Sequence, residues 1–151
     1  MDIKSIKCPK FAWIIMIGLG CVDLIRAFMH TVILEYAATS IFVIDTSGGV
    51  DNQIFLLGVF GISNYITGCI FILIGLYARH LVPVMLPLIP IIYFGGYALI
   101  TRVTTPNAQL GGGPFMLVYF AVCAVTFLAI IVINIKKTIK YSNTHSNHSS
   151  S

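Results

Sequence analysis

Charged residues are scarce in this chain of 151 residues. It contains nine lysines and arginines and five aspartates and glutamates, so only 9% of its residues are charged, against about 25% in a typical soluble domain. Apolar residue types make up 58% of the chain, and its mean hydropathy is +0.95. A soluble domain of this size needs more polar surface than these charges supply. The composition therefore excludes a disordered protein, a nucleic-acid-binding domain and an ordinary soluble enzyme, and it predicts a polytopic membrane protein.

The sequence also lacks the residue patterns of several metal and catalytic sites. Its four cysteines form no Cys-x-x-Cys pair, which argues against a thiol oxidoreductase and against structural zinc. The two histidines near apolar segments, His30 and His80, are expected at opposite membrane faces, roughly 30 Å apart, which excludes a haem held by both. No Glu-x-x-His motif, no phosphate-binding loop and no nucleophile paired with a base is present. The sequence thus indicates neither a metal centre nor an enzyme.

Four apolar segments are each long enough to cross a bilayer, which takes about 20 helical residues. They cover approximately residues 11–34, 54–78, 81–101 and 114–135. We expect an all-α fold, in which an antiparallel bundle of four transmembrane helices occupies residues 11–136. A basic tail at residues 1–10 precedes the bundle, and a disordered polar tail at residues 137–151 follows it. The long loop at residues 35–53 is interpreted as a short strand or an interfacial helix that covers the bundle.

Basic residues are distributed unevenly between the two sides of this bundle. The N-terminus, the turn after the second span and the C-terminus share one side, whereas the other side holds Arg102 and the acidic Glu35, Asp45 and Asp51. By the positive-inside rule we expect both termini to be cytoplasmic, in the plasma (inner) membrane. The lysines then contact anionic lipid rather than nucleic acid. The basic residues on the cytoplasmic side are Lys4, Lys7, Lys10, Arg79, Lys136, Lys137 and Lys140.

The first span carries three ionisable residues, Asp23, Arg26 and His30, in an otherwise apolar segment. Spacings of three and four place them on one helix face, at about 100° per residue, so Asp23 and Arg26 can form an ion pair. With a rise of about 1.5 Å per residue, the stripe begins roughly 18 Å into the span and continues to the outer face. Charged groups at membrane depth are functional candidates by default, because they are costly to bury.

Glycines recur every seven residues along the second span, at Gly61, Gly68 and Gly75. Small residues at such spacing are typical of a close-packing helix face. The polar Asn64 lies on this face, roughly 15 Å from the outer end of the span. A buried amide needs hydrogen-bond partners, and we expect the aspartate or the arginine of the first span to supply them. The sequence leaves open whether the glycine face packs within the chain or joins copies in an oligomer.

The third span contains closely spaced prolines at its start and two tyrosines in its outer half. Pro83, Pro87 and Pro90 predict bends, because proline lacks the backbone donor that a helix needs. Tyr93 and Tyr97 are four residues apart and share a face at the depth of the first-span stripe. The fourth span offers a weaker set at compatible heights, namely Tyr119, Cys123 and Thr126.

We therefore expect polar side chains from three spans to converge in the outer half of the bundle. Two interpretations remain open for this set. It forms a hydrogen-bonded structural core in which the charges neutralise each other, or it lines a small cavity for an anionic or quinone-like ligand. In the second case the arginine binds a carboxylate or carbonyl, the histidine moves protons and the tyrosines flank a ring. The set comprises Asp23, Arg26, His30, Asn64, Tyr93, Tyr97 and Arg102.

The plan of the chain combines a first span with a charged outer end, a long external loop and a glycine-rich segment from Gly58 to Arg79. That segment ends in Gly75-Leu76-Tyr77-Ala78-Arg79. This plan resembles the small four-helix DoxX-like membrane proteins, including BphX-like members, over most of residues 10–136. The resemblance implies a four-span bundle and a link to membrane redox systems, including a quinone-coupled sulfur-oxidising enzyme. It carries over no catalytic residues.

These features predict a small integral membrane protein that acts as an accessory or ligand-binding component of a membrane system, with a quinone- or lipid-like ligand. One alternative is an oligomeric small-molecule transporter or channel subunit. Another is a purely structural subunit of a larger membrane complex. The expected partners are the lipid bilayer, a larger complex or further copies of the chain, and a small hydrophobic or anionic ligand. No cofactor is assigned.

Overall fold

The structure, a computed structural model, describes residues 8–38, 51–102 and 113–148. These residues form five α-helices and contain no β-strand. Four of the helices are long and apolar enough to cross a membrane, which confirms the predicted all-α bundle of four spans. A 3₁₀ turn at Arg79–Leu81 connects the third helix to the fourth. The helices are α1 (Lys10–Thr31), α2 (Leu34–Tyr36), α3 (Asp51–Tyr77), α4 (Val82–Ile100) and α5 (Gly113–His148).

Prolines and a tight turn set several of the helix ends. Pro9, with extended backbone angles of φ −69° and ψ 155°, precedes the first residue of α1. Pro83 lies in the first turn of α4. A backbone N–H in this turn would have no partner within the helix, so proline is tolerated there. Between α3 and α4, the Leu81 N–H donates to the Ala78 carbonyl at 2.8 Å. This short connection makes α3 and α4 antiparallel neighbours.

The α5 helix is longer than the sequence predicts. The predicted span ends at residue 135 and a disordered tail follows from residue 137, whereas the helix continues to His148. No proline or glycine interrupts residues 115–148, and the lysines beyond the apolar segment are good helix formers. The Asn134 amide donates to the Ile130 carbonyl at 2.9 Å, and the Thr138 hydroxyl donates to the Asn134 carbonyl at 3.1 Å. The predicted cover over the bundle at residues 35–53 lies mostly outside the described residues.

Glycines let α1 and α3 pack with their backbones in close contact. A Cβ atom added to Gly20 would lie 2.7 Å from the Gly68 carbonyl oxygen, and one added to Gly68 would lie 2.8 Å from the Gly20 carbonyl oxygen. Further along the same face, Gly61 lies against His30, and Gly75 lies against the N-terminal turns of α1. The two helices are therefore antiparallel, and the glycine face of the second span packs within the chain.

The remaining long helices, α4 and α5, form a second pair that packs less extensively on the first. The apolar core where the pairs meet contains residues from all four long helices. The outer half of α4 lies at the periphery, since nearly every residue from Ile91 to Ile100 is exposed. The core residues are Ala12, Met16, Leu19, Phe71, Val82, Leu86, Tyr119, Phe120, Cys123 and Ile130.

Candidate functional site

Asp23 and Arg26 form an ion pair inside the helical region of α1. The Arg26 Nη1 atom lies 3.4 Å from the Asp23 Oδ1 atom, and the two side chains are 15% and 7% exposed, respectively. Their spacing of three residues places both on one face of the helix. The pairing predicted from the sequence is confirmed. Because each charge has an opposite charge beside it, the pair as a whole brings no net charge into the bundle.

Tyr119 of α5 is a second partner of Asp23. Its hydroxyl donates to the Asp23 Oδ2 atom at 3.1 Å, and the tyrosine is only 6% exposed. This hydrogen bond joins α1 to α5, so it connects the two helix pairs. Tyr119 matches the predicted site in height but is not among the residues predicted to form it. The available signal was the spacing Tyr119, Cys123, Thr126, which marks the buried face of α5.

His30 and Arg26 both lie near the Phe60 ring of α3. The ring centroids of His30 and Phe60 are 6.0 Å apart, and the Arg26 Cζ atom lies 5.9 Å from the Phe60 centroid. His30 is 3% exposed, whereas Phe60 is 47% exposed. At the next residue of α1, the Thr31 hydroxyl lies 3.3 Å from the Tyr65 hydroxyl of α3. The polar stripe of α1 therefore contacts α3 and reaches the surface beside Phe60.

Asn64 contributes a buried amide at the seam between α1 and α3. It lies between Gly61 and Gly68 on the face that contacts α1, and it is 6% exposed. Its Nδ2 atom has no hydrogen-bond partner among the described residues. The expectation that Asp23 accepts a hydrogen bond from this amide is therefore wrong. Tyr119 donates to Asp23 instead, and the Asn64 amide nitrogen stays without a partner among the described residues.

The three residues expected from the third span lie away from this group. Tyr93 packs against Phe120 of α5, with ring centroids 4.5 Å apart, and is 40% exposed. Tyr97 is 50% exposed, and Arg102 is exposed just beyond the end of α4. No described contact joins any of them to Asp23 or Arg26. The reason is that α4 pairs with α5, so matching depth in the membrane does not bring its outer half to α1.

A separate contact lies at the end of the bundle that carries the N-terminus. The Arg79 Cζ atom lies 4.3 Å from the centroid of the Trp13 ring, a cation–π geometry. Cys8 packs against the same end of the core. Burial raises the pKa of the Cys8 thiol, and the nearby Arg79 charge partly opposes that shift. This contact fastens the α3–α4 turn to the start of α1, far along the helix from Asp23.

No protein-family model, no curated protein and no solved structure matches this chain. The chemistry that the site can perform is therefore inferred from its geometry. Within residues 8–38, 51–102 and 113–148, no group of three or more His, Cys, Asp and Glu residues is placed to hold a metal ion. What the site offers is a neutralised ion pair, a tyrosine hydroxyl bound to it and a buried amide donor. We call this group the polar cluster; it comprises Asp23, Arg26, His30, Asn64 and Tyr119.

Proposed function

We propose that this chain is a small integral membrane protein that binds a quinone- or lipid-like ligand at the polar cluster, as an accessory component of a membrane system. The observation that carries the proposal is the Asn64 Nδ2 donor, which is buried and has no partner among the described residues. Leaving such a donor unpaired costs about 1–3 kcal/mol. The position therefore favours an acceptor atom from outside the described residues, and quinones and lipids carry carbonyl oxygens of this kind.

The surroundings of the polar cluster support access from the bilayer. Phe60 and Asn64 are four residues apart, so they share one face of α3. Phe60 is 47% exposed and Asn64 is 6% exposed, so this face passes within one helical turn from the surface to the buried amide. A ligand dissolved in the membrane would reach the amide past an aromatic ring face, a surface on which planar or apolar groups pack well.

The proposal includes the membrane and the orientation. We place the protein in the plasma (inner) membrane with both termini in the cytoplasm, because the basic residues gather at that end of the four spans. The resemblance of the sequence to DoxX-like membrane proteins adds the expectation of a role beside a membrane redox enzyme. The polar cluster then lies in the outer half of the bilayer.

Solvent extraction of the purified protein tests the proposed function. Wild type and Asn64→Leu are purified in mild detergent and extracted with organic solvent, and the extracts are compared by mass spectrometry. We expect a quinone or a lipid in stoichiometric amount in wild type and its depletion in Asn64→Leu. Asn134→Leu is the matched control, because its amide donates to the Ile130 carbonyl of its own helix. If wild type carries no specific ligand, the proposal fails.

A structural subunit is the second candidate, and the contacts of Asp23 favour it. This carboxylate is bonded both within α1 and from α5, as expected of a polar core that only holds helices together. Under this alternative, the extracts contain no ligand, and removal of the protein lowers the abundance of a partner complex in the membrane. The transporter alternative requires an oligomer, and the glycine face of α3 is not available for one, because it packs on α1.

A further inference from the structure

The charge of Arg26 is already matched within the chain. Its guanidinium lies 3.4 Å from the Asp23 carboxylate, and its remaining surroundings include the Phe60 ring at 5.9 Å. The Tyr119 hydroxyl also donates to Asp23, so this carboxylate is held in place from a second helix. An arginine in this arrangement has no uncompensated charge to offer a ligand.

A lipophilic anion at the polar cluster would therefore bring a net charge into an apolar environment. It would have to share Arg26 with Asp23 or displace Asp23 from it. Sharing places two carboxylates beside one guanidinium, and displacement leaves Asp23 without its counter-ion. Both arrangements are unfavourable in a low-dielectric region, where an unpaired charge is costly.

A neutral hydrogen-bond acceptor can bind at Asn64 without adding a charge to the polar cluster. The Nδ2 donor is buried and unpartnered among the described residues, so an incoming carbonyl oxygen supplies the hydrogen bond that this amide lacks. The bond needs no change in the ion pair. The amide lies one turn from the half-exposed Phe60 on the same helix face, which gives the apolar part of the ligand a surface to contact.

We infer that the polar cluster selects a neutral lipophilic molecule with a carbonyl oxygen, accepted at Asn64 Nδ2, and discriminates against lipophilic anions of the same shape. This inference rests on the ligand site proposed above and specifies the chemical class that the site takes. It narrows the earlier choice between an anionic and a neutral ligand, because the structure places Asp23, rather than an empty position, beside Arg26.

A matched pair of probes tests this selectivity on the full-length wild-type protein. Methyl oleate and oleate share one hydrocarbon chain and differ in charge, and oleate is kept ionised by working well above the pKa of its carboxylic acid. Native mass spectrometry in detergent measures the bound fraction of each probe. We expect methyl oleate to bind at least about tenfold more tightly than oleate, because the carboxylate of oleate brings an uncompensated charge into the polar cluster.

The variants locate the binding determinant. Asn64→Leu should weaken methyl oleate binding about tenfold, whereas Asn134→Leu should leave it unchanged; thermal unfolding of each variant confirms that it is folded. Equal or tighter binding of oleate in wild type overturns the inference but leaves a ligand site in place. Undiminished binding of methyl oleate to folded Asn64→Leu overturns it as well.

If neither probe binds, the inference fails, and the solvent extraction decides separately whether the protein has a ligand. Should Asn64→Leu not fold, the comparison of the two probes on wild type still decides.

Discussion

Asp23 is the residue on which most of the polar contacts of the bundle converge. Its two carboxylate oxygens accept from Arg26 at 3.4 Å and from Tyr119 at 3.1 Å. A carboxylate inside a membrane span is tolerated only when it is paired and hydrogen-bonded. The arrangement therefore ties the stability of the bundle to both of these partners, and each can be tested by substitution.

Removing either member of the ion pair should destabilise the protein more than removing both. Asp23→Leu and Arg26→Leu each leave a charge without its counter-ion, and each should lower the free energy of unfolding by roughly 3 kcal/mol. The double variant replaces both charges with apolar side chains, so its loss should be smaller than that of either single variant. The free energy of unfolding of wild type and the three variants is measured in mixed detergent micelles of graded denaturing strength.

The same comparison of wild type, the two single variants and the double variant distinguishes a structural ion pair from one that binds a ligand. An Arg26→Leu variant as stable as wild type would contradict the structural prediction, and loss of ligand from that stable variant would assign Arg26 to binding instead. Additive losses in the double variant would show that the two charges do not interact energetically.

Tyr119→Phe should lower the free energy of unfolding by about 1–3 kcal/mol. The substitution removes one donor to a buried carboxylate and leaves the ring in place, so the loss reports the hydrogen bond that joins α5 to α1. Tyr77→Phe is the control, since Tyr77 is 82% exposed. The same micelle titration serves as the measurement, and equal stability of the two variants would contradict the prediction.

The seam between α1 and α3 is the main element-scale contact, and it depends on small residues. Gly20 and Gly68 place the two backbones so close that neither position has room for a Cβ atom without a shift. Lipid tails are as apolar as the side chains, so moving a side chain from lipid into the bundle gains little free energy. Close packing is therefore a principal source of helix association in a membrane. The glycines therefore act by their lack of a side chain rather than by any polar chemistry.

Gly20→Ala and Gly18→Ala form a matched pair on opposite faces of α1. The added Cβ at position 20 would lie 2.7 Å from the Gly68 carbonyl oxygen, whereas nothing lies within 4 Å of one at position 18. Gly20→Ala should lower the free energy of unfolding by about 1–3 kcal/mol through overpacking. Gly18→Ala should leave it unchanged or raise it slightly, because alanine favours the helix. A loss at position 18 as large as at position 20 would show that the seam is not the cause.

At the scale of the whole molecule, four helices form two pairs with different packing. The α1–α3 pair is tight and carries most of the polar cluster, whereas α4 is the most exposed helix along its outer half. Charged side chains sit at the two ends of the bundle. Lys10, Arg79, Lys136 and Lys137 belong to the end with the N-terminus, and Arg102 follows the opposite end of α4.

This charge distribution predicts which end faces the cytoplasm. In a background with the four native cysteines replaced, His80→Cys should react with a membrane-impermeant thiol reagent only after the membrane is opened. Arg102→Cys should react in intact cells, because both residues are exposed and lie at opposite ends of α4. Labelling of the position-80 thiol in intact cells would reverse the assigned orientation.

The class of the protein and the number of its spans follow from the sequence alone. Span length and apolar content are properties of contiguous segments, so the four helices could be predicted within a few residues; the extended C-terminal part of α5 is the exception. The pairing of Asp23 with Arg26 was equally accessible, because helix periodicity fixes which residues share a face.

Only the tertiary structure decided which helix faces meet. Depth in the membrane can be estimated residue by residue, but the rotation and the neighbours of each helix depend on packing over the whole bundle. The glycines of α3 pack on α1, so Tyr119 of α5, and neither tyrosine of α4, reaches Asp23. For the same reason Asn64 is buried at a seam where its amide nitrogen finds no partner among the described residues. The sequence determined the polar groups and their depth, and the packing decided which of them are satisfied.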